Sequence, residues 1–164
     1  MTNAPDIRTT LRPGDLGRLI QLHGEGYEGE ANHFGLSFEA HVARTVAEFV
    51  LDNDGNGRVW LAERGTALVG CAAMVDRGDK GQLRWVIITP AERGTGLGKR
   101  LIHGAMDYAA QQTAWREVFL ETTDGLTASM EIYKKLGFEL VGEKTEMLWD
   151  EEKQTVIMMT KKLR

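Results

Sequence analysis

The stretch Arg93-Gly94-Thr95-Gly96-Leu97-Gly98-Lys99 has the residue types to hold an anion. Glycine lacks a Cβ, so backbone N–H groups can approach a ligand closely. A helix beginning there adds unpaired donors and a partial positive charge. Spacing excludes two familiar phosphate loops. A nucleotide P-loop needs Gly, four residues, then Gly-Lys-Ser/Thr; here Arg100 follows Gly98-Lys99, and Arg93 stands where the first glycine belongs. A dinucleotide fingerprint needs Gly-x-Gly-x-x-Gly, and counting from Gly94 and Gly96 puts Lys99 in the last place. Lys99 and Arg100 beside the loop are positioned to neutralise phosphate charge, or else to form a solvated helix face.

The elements that must position this loop are legible from periodicity. Before it, QLRWVIIT (82–89) reads as a strand ending at Pro90, and after it Leu97, Leu101, Ile102, Ala105, Tyr108 and Ala109 keep helical spacing over 95–110. Upstream, DIRTTLR (6–12) alternates as a half-buried strand. Asp15 is placed to cap a helix through Leu22, and Ser37 to cap a second helix carrying Phe38, Val42, Val46, Phe49 and Val50. RVWLAE (58–63) and ALVGCAAMV (67–75) flank Arg64-Gly65 as a hairpin. Downstream, EVFLETT (117–123) is a strand and ASMEIYKKL (128–136) a short helix closed by Gly137. FELVGEKTEMLWD and KQTVIMMTKKL form a closing antiparallel pair. This order predicts one α/β (α+β) domain over residues 1–164, a mixed sheet with helices on both faces and the glycine loop at its hinge.

Composition limits the partners. The 164 residues are 42% hydrophobic and 27% charged, with a net charge of -4, which disfavours a surface built to neutralise many nucleic-acid phosphates. No apolar stretch approaches the roughly 20 residues needed to span a bilayer, and the start of the chain is too polar for a signal peptide, so a cytoplasmic setting is expected. The single cysteine, Cys71, excludes an internal disulfide and reads as a small core residue. No His, Cys and carboxylate set has metal-ligand spacing, so no metal is expected. Trp60, Trp115 and Trp149 read as packing residues; Trp85, on the strand before the loop, is placed to line a pocket. His41 and His103 read as structural or exposed.

Arg93-x-x-Gly96-x-Gly98, directly after a strand and Pro90, resembles the acyl-CoA pyrophosphate loop of the GCN5-related N-acetyltransferases (GNAT). Downstream, IYKKLGF (132–138) resembles the same superfamily's later motif, in which a helix bearing Tyr ends at Gly-Phe and leads into a strand. The resemblance covers residues 57–149. Residues 23–49, HGEGYEGEANHFGLSFEAHVARTVAEF, are also similar to the acetyltransferase half of bacterial proteins that fuse such a domain to a MarR-type regulator, a regulator absent from this chain. It implies a GNAT fold with a mostly antiparallel twisted sheet of about six or seven strands. It also implies acetyl-CoA as cosubstrate, bound by Arg93, Gly94, Thr95, Gly96, Leu97, Gly98 and Lys99. Many family members carry an Asn seven residues before the Tyr; here that position is Leu126, with Thr127 and Ser129 the nearest polar substitutes for contact with the pantetheine arm.

Acyl transfer needs an acceptor for the amine proton, donors for the carbonyl oxygen and a proton for the departing thiolate. In the superfamily the strand before the loop splays from its neighbour, so the resemblance gives the backbone of Val86, Ile87 and Ile88 the acetyl carbonyl and pantetheine. It gives Tyr133, protonated at neutral pH, the role of general acid. That strand carries no acidic residue, so Glu121 on the next strand, Glu28, Glu30, His33 and His23 in or beside the loop after the first helix, and a water relay are the alternatives for the base. His23, Glu28, Glu30 and His33, with Tyr27, form an acceptor-binding group around the loop after the first helix. The reading is an N-acetyltransferase acting on a primary amine of a small molecule by direct attack in a ternary complex, as monomer or homodimer. A protein or peptide N-acetyltransferase and a CoA-binding sensor domain are the alternatives.

Overall fold

The computed structural model describes residues 3–26, 35–52, 55–123, 127–148 and 153–164. Seven strands form one sheet in the order β1-β2-β3-β4-β5-β7-β6. The strands are β1 (Asp6–Arg8), β2 (Arg58–Arg64), β3 (Ala67–Asp76), β4 (Lys80–Ile88), β5 (Glu117–Thr123), β6 (Glu139–Met147) and β7 (Lys153–Lys162). Only β4 and β5 run parallel, as the crossover through a helix between them requires; every other neighbouring pair is antiparallel.

The helices are α1 (Asp15–Gly26), α2 (Leu36–Asp52), α3 (Leu97–Gln111) and α4 (Thr127–Lys135). They cover both faces of the sheet. On one face Leu97, Leu101, Ile102 and Ala105 of α3 pack with Trp60, Leu83, Trp115, Val118 and Leu120, and Tyr133 of α4 joins this cluster. On the other, Leu19 and Leu22 of α1 and Phe38, Val42, Val46 and Phe49 of α2 pack with Leu61, Cys71, Trp85 and Ile87. The alternation of β4, half-buried and buried by turns, is therefore a strand covered on both sides. The fully buried Cys71 donates its S–H to the Trp85 carbonyl at 2.9 Å, and burial pushes its thiol pKa up.

Three local expectations change. The first strand stops at Arg8 rather than residue 12. Arg12 N–H donates to the Asp15 carboxylate at 2.6 Å and Asp15 N–H returns to the Arg12 carbonyl at 3.0 Å, a turn that takes residues 9–12 off the ladder. Asp15 does not cap its own helix. Its carboxylate is 1% exposed and receives Arg8 at 2.8 Å and Arg18 at 2.5 Å, while Arg8 and Arg18 also reach Glu63 of β2. These guanidinium contacts, Arg8 foremost, hold the Asp15 pKa far below the usual carboxylate range and fasten α1 to the sheet edge. The third change is at α2, which begins at Leu36, so Ser37 sits inside its first turn and the Gly35 carbonyl accepts the Glu39 N–H at 3.1 Å.

Candidate active site

The two parallel strands part. β4 and β5 pair only over Lys80–Gln82 and Glu117–Phe119, and beyond Gln82 and Phe119 the ladder ends while both strands continue. A cavity of about 310 Å³ lies against this opening. Its walls include Arg84, Trp85 and Val86 of β4, Leu120 to Thr123 of β5, His23 of α1, His41 of α2, Ser129 and Tyr133 of α4, and Glu146 of β6.

A bulge in β4 shapes one wall. Ala73 faces Arg84 and Cys71 faces Ile87, so the one residue of β3 between them, Ala72, is opposed by two of β4, Trp85 and Val86. Trp85 takes up the extra length at φ 49°, the one left-handed non-glycine residue among those described. The usual alternation is reset there. Arg84, cross-strand from Ala73, and Trp85, packed with α1 and α2, therefore project from the same face in succession. The Ile87 N–H is turned to Cys71 Sγ, on the β3 side, and its side chain is buried under α1 and α2. Val86 lines the cavity, and the backbone of Ile88 pairs with Gly70.

The glycine loop occupies the end of β4. A short 3₁₀ turn, Pro90–Glu92, is held to β2 because Arg64 ion-pairs with Glu92, a carboxylate only 4% exposed, with one contact at 3.2 Å. Gly94 at φ 78° and Gly96 at φ 88° then swing the chain into α3, which starts at Leu97 rather than at Thr95 because of these left-handed turns. The exposed Thr95 donates its hydroxyl to the Glu92 carbonyl at 2.7 Å. The N–H groups of Gly96, Leu97, Gly98 and Lys99 have no backbone acceptor among the described residues, since the first bond of this turn runs from Arg100 N–H to the Gly96 carbonyl. These four donors, with Arg93 and Lys99 exposed beside them, fit a pyrophosphate. Arg100 instead donates to the Pro5 carbonyl at 3.2 Å.

Tyr133 and Glu121 both reach the cavity, by opposite routes. Tyr133 is 7% exposed, packs edge-on against Phe138 with ring centroids 5.9 Å apart, and is fixed by the helix end, where Phe138 N–H donates to the Tyr133 carbonyl at 3.0 Å. Burial pushes its phenol pKa up to about 12, which keeps the proton on the oxygen. Glu121 is exposed on β5, on the face opposite the buried Val118 and Leu120. His23 is 3% exposed and donates from Nδ1 to the Leu19 carbonyl at 2.9 Å, so the neutral ring carries its lone pair on Nε2. Burial first, then the charge of Arg84, lowers its pKa to about 4.

Among the other expected site residues, Ser129 lines the cavity, and Thr127 opens α4. Tyr27, Glu28, Glu30, His33, Leu126 and Trp149 lie outside the described residues. His103 is exposed on α3. His41 departs from its reading as a structural or exposed helix residue, since α2 brings it to the cavity wall, where burial and then Arg84 lower its pKa. Arg84, Gln82 and Glu146 were not anticipated either. Arg84 carried a signal, an arginine in an otherwise apolar strand core, but the bulge that turns it inward is not written in local residue types. Among the described residues no group of three His, Cys, Asp or Glu is placed to hold a metal, and no helix is long and apolar enough to cross a membrane.

Backbone donors lie at one end of the strand opening and titratable side chains at the other. A family model described as Acetyltransferase (GNAT) family matches residues 23–138, and the chain belongs to that family of acetyl-CoA-dependent acyltransferases. An uncharacterized protein of Mycobacterium leprae is 28% identical over 144 residues, covering 85% of this chain and 36% of that protein. N-acetyltransferase 8F1 of Rattus norvegicus is 28% identical over 103 residues, covering 58% of this chain and 46% of its own length. The chain thus spans less than half of each of these two relatives. The structure of yncA from Salmonella typhimurium, described as a putative acetyltransferase with its cofactor acetyl-CoA, superposes with a TM-score of 0.72 at 18% identity. That match covers 99% of this chain and 95% of that one.

Proposed function

We propose that this protein is an acetyl-CoA-dependent N-acetyltransferase acting on the primary amine of a small molecule, by direct attack with both substrates bound. The observation that carries the reading is the parting of β4 from β5 after Gln82 and Phe119, with the glycine-opened end of α3 beside one strand and Tyr133 at the cavity between them. Acetyl-CoA, when bound, supplies the acetyl thioester. The N–H groups from Gly96 to Lys99 hold its pyrophosphate, with Arg93 and Gly94 alongside, and the backbone of Val86 and Ile88, with Ser129 and Thr127, guides the pantetheine arm, while the Ile87 N–H is turned to β3. Glu121 accepts the proton that the amine sheds as its nitrogen bonds the acetyl carbon. Tyr133 gives its phenolic proton to the sulfur as the carbon–sulfur bond breaks, and solvent then restores that proton.

In this reading His23, Tyr27, Glu28, Glu30 and His33 bind the acceptor, and the chain is of the kind that bacteria fuse to a MarR-type regulator. A cavity of about 310 Å³ supports a small-molecule acceptor. The test is thiol release from acetyl-CoA by the purified protein with a panel of amino acids, polyamines, aminoglycosides and peptides. Release with a low-molecular-weight amine, lowered at least about 100-fold in Glu121→Gln, supports the reading. Release with peptides alone, or tight acetyl-CoA binding without release, replaces it by a peptide acetyltransferase or a sensor.

A further inference from the structure

Arg84 differs from the other inward arginines. Arg8, Arg18 and Arg64 each hold a carboxylate partner, whereas Arg84 has no hydrogen-bond or ion-pair partner among the described residues. Its guanidinium lies over the Trp85 ring, 4.9 Å from the centroid, and Glu121 and Glu48 act on it only through longer-range charge. Desolvation is the main influence on it and lowers its pKa. A second donor beside it is also unanswered: Trp85 is 8% exposed, and its buried indole N–H has no acceptor among the described residues. Both residues line the cavity. Leaving a half-buried cation without an acceptor costs free energy that an incoming anion recovers.

The geometry points to an amine acceptor that itself carries a carboxylate, with Arg84 as the specificity-determining residue that binds this carboxylate. This rests on the acetyltransferase reading and narrows its acceptor to free amino acids and amines of similar charge pattern. A planar guanidinium fork matches a carboxylate with two parallel hydrogen bonds. The same cavity also carries the complementary sign, since Glu121 and Glu146 line it and can receive an ammonium. A cavity of about 310 Å³ is at the lower end of small-molecule sites, a size for an amino acid. A polycation meets Arg84 where its second charge would lie, and the same positive charge already disfavours protonation of His23 and His41.

The test compares amino acids with their carboxamides, their decarboxylated amines and spermine, following thiol release and separating kcat from KM. The wild-type protein should prefer a carboxylate-bearing amine over its carboxamide by about 30-fold or more in kcat/KM, mostly through KM. Arg84→Gln should abolish that preference, and Arg84→Lys should restore part of it. Circular dichroism and the urea midpoint of each variant report whether it is folded; if Arg84→Gln does not fold, the wild-type and Arg84→Lys preferences decide. Equal turnover of carboxamide or spermine by the wild-type protein, or a preference unchanged in Arg84→Gln, overturns this inference and leaves the acetyltransferase reading standing. Release with no amine overturns both.

Discussion

The two ends of the strand opening are built from different material. At the glycine loop the groups that matter are backbone N–H donors, exposed by two left-handed glycines and the start of α3, and their side chains contribute little. At the acceptor cavity the groups are side chains, and each arrives on a separate element: His23 on α1, His41 on α2, Arg84 on β4, Glu121 on β5 and Glu146 on β6. In the proposed function the backbone cradle recognises something invariant, the pyrophosphate of one cosubstrate. A cavity of side chains can change its acceptor with single substitutions while the cradle stays as it is.

Tyr133 belongs to neither end alone, and its removal should have the largest effect. Tyr133→Phe is expected to lower kcat by about 1,000-fold with acetyl-CoA affinity retained, checked by single-turnover thiol release and calorimetry; an unchanged kcat would leave the ring with a packing role only. Next comes the anchoring of the acceptor side. Asp15→Asn leaves Arg8 and Arg18 short of one charge in a buried cluster, at a cost of about 3 kcal/mol in a urea titration. That cost has a pH signature. Because the Asp15 pKa is depressed in the folded protein, its contribution is complete above the unfolded value near 4 and disappears as pH falls further, so the variant and parent should converge in strong acid.

The cradle should fail by itself. Gly96→Glu places a side chain at φ 88° and a negative charge among phosphate-binding donors, and about a 100-fold loss of acetyl-CoA affinity is expected. Amine acceptors should still protect the cavity residues from hydrogen exchange in this variant; loss of both functions together would erase the distinction between the two ends. The smallest effect concerns His23. The folded protein holds its pKa at about 4 while the unfolded chain protonates near 6.5, so the unfolded state gains the proton first and stability falls with pH. Between pH 6.5 and 5.5 the loss should be about 1 kcal/mol by thermal denaturation, and it should be absent in His23→Gln.

Local pattern was enough for most elements. The strand over 117–123 and the hairpin around Arg64-Gly65 depend on alternation and turn residues a few positions apart, and both appear within a residue or two of where the pattern placed them. The errors fall where a distant partner intervenes. Asp15 has the residue type of a cap, yet arginines at positions 8 and 18 and a strand about 50 residues away recruit it into a buried ion cluster. His41 reads as a structural or exposed helix residue, and Arg84 receives no role from the sequence, because nothing near them in sequence records that α2 and a β4 bulge turn both toward one space.

The sequence by itself determined the cradle, because three glycines and the strand and helix around them are contiguous and their hydrogen-bonding groups belong to every residue's backbone. It also placed Tyr133 in the last turn of a short helix that runs out just before Gly137-Phe138. Only the tertiary structure decided the acceptor wall. The extra residue in β4 puts Arg84 and Trp85 on one face, and the parting of β4 from β5 opens the space they line; both depend on how strands pair across the sheet, which no short window of sequence contains.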